Sequence, residues 1–101
     1  MGPMVLKMLD AKAAEAFGEQ LAAFIMKELS HSVHKRDKKF IDKAAKVMVR
    51  AARKVDDFKK GEALNFYKKS KLANAFLWGL KDAGCPHDYT DELTRWLTVR
   101  L

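Results

Sequence analysis

Lys39, Lys43, Lys46, Arg50, Arg53 and Lys54 follow one another at intervals of four, three, four, three and one. An α-helix turns by 100° per residue, so those steps place all six side chains within roughly 100° of arc. At 1.5 Å per residue the row is ~22 Å long. Between residues 38 and 60, nine Lys and Arg stand against three Asp: Asp42, Asp56 and Asp57. Cations at these spacings repel by ~0.2–0.5 kcal/mol per neighbouring pair and lack the Glu-to-Lys partners that stabilise a solvated helix. Such a row suits a polyanion, because neutralising phosphates releases counterions and gives affinity that falls with salt. The same run would also serve as a plain wet face, since a concentrated field speaks of partners and not of fold. The leading expectation is contact with nucleic-acid phosphates, largely without reading base sequence. Another acidic macromolecule is the wider class. A membrane surface suits the helix less well, because its apolar stripe is rich in Ala and lacks Trp.

A second constellation lies further along. Tyr67, Lys71, Asn74, Trp78 and Lys81 step by four, three, four and three and share one helical face. Aromatics interleaved with bases and an amide can stack on nucleobases and hold phosphates, or form a hot spot for another protein. Aromatics at helical spacing more often pack inward, here under the last helix or the N-terminal segment, with their polar tips outward. The packed reading is the expectation for this face. An exposed Trp78 would turn it into a protein-interaction or homo-oligomer surface.

Other reactive residues form no set. His31 and His34 are three apart between Glu28 and Asp37, and Cys85 is followed by Pro86 and His87. A metal needs more ligands than either fragment supplies, so neither a metal nor another cofactor is expected. There is no nucleophile elbow, glycine-rich phosphate loop or zinc-protease helix. Asp56–Asp57 and Asp91–Glu92 are sequence neighbours and diverge on a helix. Nothing supplies a nucleophile, a base and a group to orient them, so the expectation is binding without catalysis.

The elements that must carry these residues follow from composition and periodicity. The 101 residues, with two Pro and five Gly, favour one helical domain spanning 1–101. The net charge of +7 is concentrated in the middle. Residues 35–71 hold fourteen bases and five acids, whereas the segments on either side each hold three bases and four acids. A lone cysteine fits a reducing compartment, so a cytoplasmic location is expected. The opening MGPMVLKMLD has a short apolar stretch interrupted by Lys7, which does not read as a secretory leader. No apolar run reaches the ~18 residues of a membrane span.

Four helices are predicted, making an all-α, compact four-helix domain with three long helices and a short last one. The first runs from about Asp10, its cap, to Leu29, with Ala14, Phe17, Leu21, Phe24, Ile25 and Leu29 inward and Gly18 admitting a close neighbour. Met4 to Leu9 either fold back on the core or extend it. After a polar turn over 30–35, the second runs from Asp37 to Lys60 and stops at Gly61. Its stripe is Phe40 or Ile41, Ala44, Met48, Ala51, Ala52, Val55 and Phe58, with the basic row on the opposite side. The third spans Glu62 to Ala83, burying Phe66, Leu72, Ala73, Phe76, Leu77, Leu80 and Ala83, and Gly84 with Pro86 ends it. The last begins at Asp88 or Thr90 and turns Leu93, Trp96, Leu97 and Leu101 inward.

Overall fold

The computed structural model describes residues 10–101, which form four helices and no strand. They are α1 (Lys12–Leu29), α2 (Lys38–Gly61), α3 (Phe66–Asp82) and α4 (His87–Arg100). The fate of Met4 to Leu9 lies outside the described residues. An all-α helical bundle is thus what the periodicity predicts and what the chain forms.

Helix boundaries follow from local chemistry. Asp10 precedes α1 and its carboxylate accepts from the Lys12 amide at 3.1 Å. Asp37 is the true cap of α2: its Oδ1 accepts from the Phe40 amide at 2.9 Å, satisfying a donor that the helix leaves free. The turn before it closes through Arg36, whose amide donates to the Ser32 carbonyl at 3.0 Å and whose φ of 45° lies in the left-handed region. At the far end of α3, Gly84 adopts φ 82°. Its amide reaches the Lys81 carbonyl and that of Cys85 reaches Leu80, both at 3.0 Å. This pair of bonds is the Schellman termination, and the positive φ is why glycine stands there. Pro86 then caps α4, whose first residue, His87, comes one before the earliest expected start.

Helix α3 is shorter than expected at both ends. The chain between α2 and α3 is longer than predicted: α3 begins at Phe66, not Glu62, because Asn65 caps it by accepting from the Lys68 amide at 2.8 Å. As the first residue of the helix, Phe66 is 85% exposed and not in the core, and Ala83, past the other end, is exposed too.

Packing centres on α1, which has two inner walls. Gly18 and Ala22 meet α3; Phe17, Leu21 and Phe24 turn toward α2. A Cβ at Gly18 would collide with the Leu72 carbonyl and lie 3.1 Å from the Phe76 amide. One at Gly79 would lie 2.8 Å from the Ala22 methyl. Moving from Gly18 to Ala22 on α1 moves the contact forward on α3, from Leu72 and Phe76 to Gly79, so α1 and α3 run parallel with their backbones close. The expectation for Gly18 holds, with Gly79 as its counterpart. Between α1 and α2, Phe17 stacks on Phe58 with ring centroids 4.3 Å apart, and Arg50 approaches Glu28, so this pair is antiparallel.

Helix α4 packs along α3 and meets α2 through long side chains: Phe40 edge-on to Tyr89 at 5.6 Å, and the Lys59 ammonium on the Arg100 carbonyl at 2.7 Å. The core between them contains Leu21, Ile25, Leu29, Val47, Val55, Leu72, Phe76, Leu80 and Leu97. Each such burial stabilises by ~1.5–3 kcal/mol. Helix α2 turns Phe40, Ala44, Val47, Ala51 and Val55 inward. Ile41 is exposed, so Phe40 is the inward residue of that pair, and Met48 and Ala52 lie only half-buried beside the stripe. Among the described residues no helix is long and apolar enough to cross a membrane.

Candidate nucleic-acid interface

The α2 backbone runs unbroken from Lys38 to Gly61, so the regular rise of the helix sets the spacing of the six cations. All six are exposed. Among the described residues only Arg50 has a carboxylate at salt-bridge distance, Glu28 of α1 at 3.8 Å, with both side chains substantially exposed. Lys39, Lys43, Lys46, Arg53 and Lys54 have none. The acids of α1 and α4 therefore do not neutralise the row.

Its position needs one correction. The ridge flanks the buried stripe and does not oppose it: at 100° per residue its midline lies roughly 110° round from that of the buried residues. The reason is the choice of inward residues. With Val47 and Phe40 inward, the core arc moves toward the ridge, and the side directly away from the core is left to Asp42, Val49 and Asp56.

That rotation brings the C-terminal part of the ridge against α1 and a residue the spacing does not reveal. Phe24 is half-buried, and over its ring sit the Arg50 guanidinium at 5.4 Å from the centroid and the Lys54 ammonium at 4.7 Å. A ring face attracts cations, so Phe24 holds two of the six heads in place instead of serving only as core. Helical periodicity ranks it among the inward residues and says nothing of charges arriving from another helix.

The face of α3 is also built as a unit. Tyr67, Lys71, Asn74, Trp78 and Lys81 lie opposite its buried arc, and the structure overturns the expectation that the aromatics pack inward. Trp78 is 54% exposed and Tyr67 40%. Each is covered instead by a cation from its own helix, Lys71 at 5.6 Å from the Tyr67 ring and Lys81 at 5.1 Å from the Trp78 ring. The groove between this face and α1 also holds Glu15, Glu19 and Asp82, which makes it mixed in charge.

Elsewhere two cations are tied to carboxylates. Arg36 bonds Asp88 at 2.8 Å, which holds the Asp88 carboxyl below its ordinary value and raises the guanidinium's own. Lys68, only 5% exposed, bonds Glu62 at 3.0 Å and reaches the Ala63 carbonyl at 3.5 Å. It is a buried cation that composition alone assigns to the surface. His31 and His34 are exposed, and Cys85 is buried, which pushes its thiol up. Among the described residues no three of His, Cys, Asp or Glu come together as a metal would require.

No known family model matches the chain, and no significant match is found among curated proteins or solved structures.

Proposed function

We propose that this protein binds nucleic acid through the phosphate backbone, without catalysis, using Lys39, Lys43, Lys46, Arg50, Arg53 and Lys54. The observation that carries this reading is the exposure of all six together with the lack, among the described residues, of a carboxylate partner for five of them. A row of uncompensated cations on a rigid helix matches a line of phosphates and offers no donor set aimed at base edges. Pinning of Arg50 and Lys54 over Phe24 lowers the ordering cost of two contacts. A lone, buried thiol suits work in the cytoplasm, where it stays reduced.

Salt titration of binding to a DNA or RNA duplex tests the proposal. With up to six phosphates neutralised, the log–log slope should approach −5, at ~0.9 per phosphate. Lys43→Gln and Lys46→Gln should each reduce its magnitude by about 1. No binding at low salt, or a slope that these changes leave alone, removes the reading.

The exposure of Trp78 favours a second reading, a protein-interaction or oligomerisation module built on Tyr67, Lys71, Asn74, Trp78 and Lys81. Sedimentation separates the two. A dimer that Trp78→Ala dissolves supports the module, and a monomer with Trp78 mobile and solvated removes the oligomer form of it.

A further inference from the structure

Between α2 and α4, on the side away from α1, runs a groove of about 350 Å³ lined by Ala45, Met48, Val49 and Ala52 of α2 and Trp96 of α4, with Arg53 and Arg100 along its edges. The two helices meet here through side chains and not through close backbones, which leaves the channel open. Its floor is apolar: Val49 is 55% exposed, and Met48, Ala52 and Trp96 are half-buried. Among the described residues no carboxylate lines it. The Arg100 guanidinium is held 4.6 Å from the centroid of the Trp96 ring, and Arg53 has no acidic partner among the described residues.

An apolar channel along two helices with a cation on either border fits one kind of occupant. We infer that this groove receives an amphipathic helix of another protein, with apolar residues at i, i+3, i+4 and i+7 against Met48, Val49, Ala52 and Trp96 and carboxylates reaching Arg53 and Arg100. A second copy is the poorer fit, because each chain carries net charge +7 and would bring the same two arginines to the seam. The groove lies on the flank of α2 away from Phe24 and the ridge's contact with α1, and Arg53 is the one residue common to both surfaces. Apart from Arg53, the partner site uses residues that the nucleic-acid reading does not.

The test uses the full chain carrying Trp78→Phe, which leaves Trp96 as its sole tryptophan, and a peptide of roughly 18 residues, long enough to form a helix. One version places Leu at i, i+3, i+4 and i+7 with Glu at the flanking positions; its control replaces every Glu with Lys. The Glu peptide should bind and shift Trp96 emission to the blue, and the Lys peptide should bind at least tenfold more weakly. Val49→Gln, at an exposed position the fold tolerates, should weaken the Glu peptide by about tenfold, the effect of losing one buried aliphatic contact. Arg53→Gln with Arg100→Gln should weaken it further and reduce its salt dependence.

Equal binding of both peptides, or binding that Val49→Gln leaves unchanged, overturns the inference. So does a homodimer that Val49→Gln dissociates, because the groove then belongs to a second copy. Val49→Gln should leave duplex binding intact, whereas Lys43→Gln and Lys46→Gln should weaken duplex binding and leave the peptide alone. Failure of either reading is thus visible without the other.

Discussion

Gly18 and Leu72 touch so closely that the carbonyl of one occupies the place a side chain of the other would take. Gly18→Ala must therefore separate α1 from α3. Overpacking costs ~1–3 kcal/mol and is offset by ~1 kcal/mol of better helix propensity. A net loss of up to about 2 kcal/mol is expected, seen as a fall in Tm of up to several degrees. Gly61, with nothing near its missing Cβ and no positive φ, is the control. Gly61→Ala should leave stability unchanged or raise it by ~0.5 kcal/mol. Equal effects at the two positions would contradict the close seam.

Lys68 and Glu62 make a different kind of demand. Glu62→Ala strands a buried ammonium and should destabilise by about 1–3 kcal/mol. Lys68→Met removes the charge while keeping the aliphatic stem and should cost less than Glu62→Ala. Urea unfolding of the two variants gives the order, and a reversed order would show that the pair itself holds the chain between α2 and α3.

Asp88 gives the acid limb a sign. Arg36 holds its carboxyl below the ordinary 3.8, so the folded state gives up that proton more readily than the unfolded chain. The pair therefore stabilises the fold above pH 3.8, and the contribution fades as pH falls through the lower, folded value. Arg36→Ala should return the Asp88 titration, followed by NMR, toward its ordinary value. Asp88 is largely exposed, so solvent screens the pair and the direction of the shift is what the titration tests.

Cys85 sets the opposite sign on the alkaline side. Burial raises its thiol above the ordinary 9.0, so the unfolded chain ionises first as pH rises. Its contribution is intact below pH 9.0 and is lost on passing up through the folded value; Tyr89, also raised by burial, adds to the loss at higher pH. Cys85→Ala should flatten the first part of that decline. In the native protein the thiol should react with a disulfide reagent many-fold more slowly than in urea.

Trp78 decides how much of the α3 face is structural. With half of the residue in solvent, Trp78→Ala should change stability by no more than ~0.5 kcal/mol. A loss of several kcal/mol would mean that the indole packs as core.

Much of the bundle was legible because its signals are local. Asp37 before an apolar period marks the start of α2, and Gly84 ahead of Pro86 marks the end of α3. The ridge, too, was visible as spacing. What escaped depends on contacts between helices. Gly18 announces a close neighbour, but its companions Ala22 and Gly79 contribute little to an apolar pattern, and Val47 is masked by the larger Met48 beside it. Glu62 looked like a helix start because nothing breaks the sequence there; the capping oxygen belongs to Asn65. Phe24 reads as core until Arg50 and Lys54 are seen to arrive over it from α2, and Lys68 reads as surface until Glu62 folds back on it.

The glycine seam also divides the molecule mechanically. Joined backbone to backbone, α1 and α3 form a close pair, while α2 is held to it by its buried stripe of Phe40, Ala44, Val47, Ala51 and Val55 and by the Phe17–Phe58 stack, without such a backbone seam. Amide protons of α2 should consequently exchange with solvent sooner than those of α1 and α3 at comparable depth. The cationic edge is then a hinged leaf, and a bound polyanion would be felt first as a slowing of that leaf's motion.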